Sequence, residues 1–186
     1  MNSQLRVMRI LWGALLASSG IYAAILGFKV VTPPPHVNLP PMFPMVFAAV
    51  AVGIVAMSFV LPKTIYKQTA ARMTVRIEEE PVPGVFAAGY REAAPERKVF
   101  ADAEEAWRKA AACYMTPLIL GLALSEATSL LGFVLGFLGF PATVWAPFMV
   151  VGSALIAIRF PTEARVTEAF EAARGASFPG RDRGQG

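Results

Sequence analysis

Four long apolar blocks, separated by stretches that hold nearly all the charge, constrain this chain more than anything else in it. They run over about residues 11–31, 43–61, 114–140 and 142–158, each with 17 or more residues. At about 1.5 Å of rise per residue, such a helix covers most of a hydrocarbon core about 30 Å thick. Soluble domains are about 45–50% apolar and about 25% charged. Here 55% of residues are apolar and 16% charged, with the apolar excess gathered in the blocks. The expected fold is an all-α membrane protein, with four transmembrane helices arranged as two hairpins.

Arg6 and Arg9 precede the first block, as they would in a cleaved leader. The apolar run continues past Ala17-Ser18-Ser19, with no small-x-small site ahead of a polar start, so a retained helix is expected. Lys and Arg near span ends set orientation. Sixteen of the seventeen lie in the N-terminal tail, the segment between blocks two and three, or the C-terminal tail; only Lys29 lies on the other side. The expected location is therefore a cell inner membrane, with the N-terminus, the C-terminus and the 62–113 segment all cytoplasmic.

The linker from Thr32 to Pro44 is proline-dense and predicts extended polyproline segments. Gly139-Phe140-Pro141 predicts a tight turn that makes blocks three and four antiparallel neighbours. Within 62–113, the EEEPVPGVFAAGYREAAPE stretch predicts irregular backbone. Residues 96–112 predict an amphipathic helix, with Phe100, Trp107, Ala111 and Tyr114 on one face. Glu104–Arg108 and Glu105–Lys109 have the favourable i,i+4 order. Pro117 would allow a bend into the third span. A second short amphipathic helix is expected over 162–174, with Val166 and Phe170 on one face and Gly175 closing it. A disordered tail is expected over 178–186.

Residue counts exclude several kinds of chemistry. Cys113 is the only cysteine and His36 the only histidine, so a disulfide, a thiolate cluster, a multi-His metal site and a His-based triad are all ruled out within the chain. The net charge of +4 arises from residues flanking apolar blocks, not from a patch interleaved with aromatics. No nucleic-acid partner is expected. With no nucleophile–base pair and no phosphate-cradling glycine loop, the chain reads as a non-enzyme without a cofactor.

Blocks one and three align without gaps, with five identities in fifteen positions: Ala14-Leu15 on Ala123-Leu124, and Leu26-Gly27-Phe28 on Leu135-Gly136-Phe137. Val52-Gly53 and Pro62 likewise align with Val151-Gly152 and Pro161. This pattern is that of a parallel internal repeat.

Glu126 is the one charge in the third block and stands near its midpoint, opposite Ala17 in the repeat alignment. A charged side chain at mid-bilayer costs roughly 2.5–3.5 kcal/mol. The thirteen Leu, Ile, Val and Phe residues of that block contribute together about −6 kcal/mol. The helix inserts, and the carboxyl remains a local cost that a proton, a cation or a hydrogen-bond partner must relieve. No Lys or Arg is expected at its depth. Ser129 shares its face, Ser125 adjoins it, and Ser18 and Ser19 lie at similar depth. Two readings follow: Glu126, Ser129 and Ser125 bind a proton or Na⁺, or Glu126 is a neutral hydrogen-bonder joining span three to span one.

Ala123-Leu124-Ser125-Glu126-Ala127, followed by Gly132 and Val134, resembles the carboxylate helix of the rotary ATPase proteolipid family, subunit c. The resemblance covers about a dozen residues. It implies that Glu126 is a protonation site within an ion-translocating or ion-sensing assembly. Duplicated members of that family have four spans and keep the carboxylate in one half, as with Glu126 and Ala17. The family's Gly-x-Gly-x-Gly inner helix has no counterpart in block two, which holds only Gly53, and Leu131 stands where the family usually has Tyr.

Small residues mark expected packing seams: Gly132 and Gly136 in the third block, and Gly13, Ala17, Gly20, Ala24 and Gly27 in the first. The expected partners are membrane lipid and either further copies of the chain or other membrane subunits. The competing function is a non-catalytic accessory or scaffold subunit whose basic cytoplasmic segment contacts anionic lipid or a partner protein.

Overall fold

The computed structural model describes residues 3–28, 40, 42–81 and 96–179. Their elements, in chain order, are α1 (Ser3–Gly27), α2 (Phe43–Arg72), β1 (Ile77–Pro81), β2 (Glu96–Phe100), α3 (Ala103–Phe137), α4 (Ala142–Ala157) and α5 (Glu163–Arg174). The chain is predominantly helical, and α1, α2 and α3 are each long and apolar enough to cross a membrane. The apolar helix α4 has 16 residues, about 24 Å at the usual rise. His36, Lys29 and the centre of the 62–113 segment lie outside the described residues.

Contacts divide the chain into two units, 1–65 with 115–161, and 66–114 with 162–186. In the first, α1 and α3 run in the same direction: Ser18 meets Glu126, Tyr22 meets the Phe133 ring, and Leu26 lies beside Gly136. α4 runs against α1, since Trp12 donates to Ile156 O at 2.7 Å and Arg9 to Pro161 O at 3.4 Å. The Trp12 bond is a second one to a carbonyl in α4's last turn, which also accepts from the Arg159 N–H at 3.1 Å. α3 ends in a Schellman turn: Phe140 N–H bonds Leu135 O at 3.1 Å, and Gly139 N–H bonds Gly136 O at 3.0 Å. Gly139 has φ 88°, where a Cβ would be strained. Pro141 then precedes α4, so the chain reverses within four residues. Phe43 stacks on Phe140, which places the start of α2 at this end.

The opposite end of the unit gathers the cations. Arg9 lies over the Phe160 ring, Arg159 touches Ser58 of α2, and Gly121 of α3 neighbours both Arg159 and Pro62.

The second unit corrects the all-α expectation. β1 and β2 pair antiparallel, with Ile77 opposite Phe100 and Glu80 opposite Arg97. Residues 96–100 are therefore a strand and not the start of an amphipathic helix over 96–112. The Glu78-Glu79-Glu80 run repels itself in isolation, and Arg97 and Lys98 across the ladder offset that repulsion. Arg97 and Glu80 are 3.7 Å apart. Helix α3 begins only at Ala103, where Asp102 accepts backbone bonds from Glu104 at 2.8 Å and Glu105 at 3.0 Å. The Glu105 amide, with that of Glu104 and the charge of Arg108, holds the Asp102 carboxyl below its ordinary value. Its contribution to the helix start is thus complete above the ordinary carboxylate range and lost as pH falls through the lowered value. Glu105 and Lys109 pair at 2.6 Å.

Two boundaries also move. α2 does not stop at Leu61 but continues through Pro62 to Arg72, because the residues beyond the proline include good helix formers such as Lys, Gln, Ala and Arg. α5 carries the core of the unit: Val166 and Phe170 are fully buried, and the Phe100 ring packs on Phe170 and Phe178 at 5.4 and 4.9 Å. Thr162 caps α5 by accepting from Arg165 N–H, and Gly175 closes it with φ 67°. Phe178 is buried rather than part of a tail, held because its N–H bonds the Glu171 carboxylate at 2.9 Å. Ser177 adds a parallel bridge along β2. Residues 180–186 lie outside the described residues.

Candidate functional site

The polar groups of the membrane-type helices fall into two clusters on opposite sides of α3. Glu126 is half-buried and faces α1. Ser18 Oγ lies 2.6 Å from its Oε1, and Tyr22 Oη donates to the same oxygen at 3.4 Å. Ser18 Oγ also lies 2.8 Å from Leu15 O. A hydroxyl has one hydrogen and two acceptor lone pairs. Ser18 therefore shares its one hydrogen between the Leu15 carbonyl and the Glu126 carboxyl.

Ser129, one turn along, is buried and meets Ser19 of α1 at 3.4 Å. Ser125 points elsewhere: it donates to Gly121 O at 2.7 Å and accepts from the Arg159 guanidinium. The expected ion-binding trio of Glu126, Ser129 and Ser125 therefore separates. Ser125 and Glu126 face different ways because successive helix residues diverge by about 100°, and Ser125 is engaged by a cation, the opposite of what a bound Na⁺ requires. Among the described residues, no group of three or more His, Cys, Asp or Glu side chains could hold a metal ion. Cys113 is buried and free.

Arg159 is the residue that sequence reasoning missed. In the sequence it reads as a tail charge, yet its Nη2 donates to both Ser58 O and Ser58 Oγ at 2.9 Å, and its Nη1 to Leu155 O at 3.2 Å. The Ser58 carbonyl is the one that Pro62, four residues on and lacking an N–H, leaves without its helical partner. A guanidinium thus fills the gap a proline opens. The Ser58–Pro62 spacing was the available signal. Contrary to the expectation that no cation reaches Glu126's depth, Arg159 arrives at the neighbouring residue. Measured along α3, Glu126 is one residue from the midpoint of the 114–140 block and five from Gly121, the residue beside Arg159, a separation of about 7.5 Å.

The glycines sort by what a Cβ would meet. At Gly132 it would lie 2.8 Å from Trp145 O and 2.9 Å from Phe148 Cβ of α4, and at Gly136 2.5 Å from Leu26 Cδ1 of α1. Gly20 and Gly27 are not at a helix contact among the described residues of the chain, since a Cβ at either would have no neighbour within 4 Å. They face outward on α1, a helix that is mostly uncovered. The closest approach is at a glycine not anticipated: a Cβ on Gly152 of α4 would overlap Ser129 Oγ and lie 2.7 Å from Ser129 N and 2.8 Å from Ser125 O. Comparisons with protein-family models, curated proteins and solved structures found no match to this chain.

Proposed function

We propose that this chain is a non-catalytic multi-pass membrane protein, an accessory or scaffold subunit whose 62–113 segment and C-terminus are cytoplasmic. In this reading α1 to α4 are four spans and Glu126 is an interhelical hydrogen-bonder joining α1 to α3. The observation that carries the role of Glu126 is its 2.6 Å contact with Ser18. A site for Na⁺ needs several oxygens converging on the carboxylate, as hard metal cations do. The contacts of Glu126 are instead two hydroxyls of one neighbouring helix.

The clustering of Arg9, Arg159 and the α2 segment around Pro62 at one end of the helices supports the N-in, C-in orientation. It also supports α4 as the fourth span despite its length. The Gly139 turn places its start level with the end of α3, and a long Arg side chain at its other end can reach the interface.

Reporter fusions test the topology. Fusions at Val37 and Phe140 are expected to be external, and those at Gly89 and Gly186 cytoplasmic; a cytoplasmic Val37 overturns the four-span arrangement. Glu126→Gln tests the role of the carboxyl. The amide keeps an oxygen that accepts from Ser18 and Tyr22 and nearly the same volume, so the variant should fold, assemble and function as the parent does. Glu126→Ala should lose about 1 kcal/mol of stability in detergent, the scale of an interhelical hydrogen bond in a membrane. A Gln variant that folds and assembles but loses cellular function shows instead that the carboxyl must exchange a proton.

A further inference from the structure

On the side of α3 away from Glu126, α2, α3 and α4 enclose an open groove of about 520 Å³ whose lining is almost wholly apolar. Ala48, Val52 and Ala56 of α2 form one wall, Phe148 and Val151 of α4 the other, and Thr128 of α3 lies at the floor. Thr128 is buried and its hydroxyl is occupied by Leu124 O at 3.3 Å, so no unmet polar group faces the groove from there. Ala48, Ala51 and Ala56 present only methyl groups to the groove, which leaves its space unfilled from the α2 side. Val52 and Val151 are 70% and 43% exposed, so their outer faces are open to whatever surrounds the helices.

The stripe of α2 that forms the wall continues beyond the groove. Ala48, Val52 and Ala56 are four residues apart, and Phe59 and Lys63 extend the same face at the next three- and four-residue steps. Arg159 lies over the Phe59 ring, 4.9 Å from its centroid, and Lys63 is exposed one turn further. Nowhere from Phe43 to Arg72 does α2 carry an acidic residue. From Ala48 to Phe59 is about 16 Å of helix, close to the half-thickness, about 15 Å, of a bilayer's hydrocarbon core. The helix face that walls the groove therefore reaches two positive charges within about the depth of one leaflet.

We propose that this groove is a binding site for one anionic phospholipid, with an acyl chain between α2 and α4 and the phosphate at the exposed Lys63. Apolar lining alone fits any hydrocarbon; the Lys63 ammonium, with the Arg159 charge on the same stripe acting through space while its hydrogens stay on the helices, selects a negatively charged headgroup. A helix from another protein or a second copy would present side chains to the groove but would bring no phosphate to its basic end. The proposal rests on the helices being membrane-embedded. Retention of the wild-type chain in membranes through alkaline carbonate extraction tests that premise separately.

The full chain, purified in detergent and depleted of lipid, is titrated with phosphatidylglycerol and with phosphatidylcholine of identical chains, and bound lipid is counted by native mass spectrometry. One phosphatidylglycerol per protomer is expected, bound more tightly than phosphatidylcholine. Lys63→Gln should weaken phosphatidylglycerol binding by about fivefold, the scale of one basic side chain at an anionic surface, and leave phosphatidylcholine unchanged. Val52→Trp and Val151→Trp, both at open positions where added bulk leaves the core intact, should each abolish binding of the retained lipid. Equal binding of the two lipids by the wild type, or lipid retention unaffected by both Trp variants, overturns the proposal. So does a lipid-free dimer that the Trp variants dissociate, which would make a second copy the occupant.

Discussion

Gly152→Leu is expected to be the most damaging single substitution in the membrane-type helices, with a loss of about 3 kcal/mol or more or failure to fold. The reason is that its neighbours are backbone. A Cβ there meets the Ser129 amide and the Ser125 carbonyl, which cannot move without displacing α3 itself, whereas the end of a flexible side chain can rotate away. Even Gly152→Ala should destabilise, although alanine is the better helix former by about 1 kcal/mol. The other glycines supply a graded series. Gly132→Ala meets one carbonyl and one Cβ of α4 and should cost less than Gly152→Ala. Gly136→Ala meets only the tip of Leu26, so a rotamer change should absorb most of its cost. Gly20→Ala and Gly53→Ala meet nothing within 4 Å and should be neutral or mildly stabilising. Denaturation in mixed detergent micelles measures the order. A Gly152→Ala as stable as Gly53→Ala would remove the α3–α4 seam from this account.

Arg159→Ala should cost about 2–3 kcal/mol, the scale of hydrogen bonds to a charged group whose partners are then left unmet. It strips the Ser58 carbonyl of its replacement donor and leaves the buried hydroxyls of Ser58 and Ser125 with fewer partners. Arg159→Lys keeps the charge, but one ammonium on a flexible stem cannot reproduce the planar fork that reaches Ser58, Ser125 and Leu155 together, so only part of the stability should return. Pro62→Ala supplies the decisive comparison. It restores a helical N–H to the Ser58 carbonyl, so the penalty of Arg159→Ala should be smaller in a Pro62→Ala background than alone. Additive losses in that double-mutant cycle would show that the guanidinium does not substitute for the bond proline removes.

The parts of this chain legible from its residues are those written locally. A run of 17 or more apolar residues needs a helix wherever it ends up, because a bilayer or a core leaves no other outlet for its backbone groups. Thr162 and Gly175 bracket α5 because a hydroxyl accepts from the amide three residues on and a glycine adopts positive φ without strain. The Gly139 turn is legible for the same reason. The hairpin was not. ERKVF is too short to have a decisive period of its own, and it becomes a strand because Ile77–Pro81 pairs with it on one side and Ser177 on the other. Nor could the sequence divide the serines. Ser125 and Glu126 are adjacent in the chain, yet they face different helices, one meeting Arg159 and the other Ser18. The partners that settle this lie far along the chain: Ser18 is 108 residues from Glu126, and Arg159 is 101 from Ser58. Which charge meets which hydroxyl, and which glycine carries a seam, depends on how the helices are rotated about their axes. Uniformly apolar surfaces leave that rotation open in the sequence, and close packing of one helix on the next closes it.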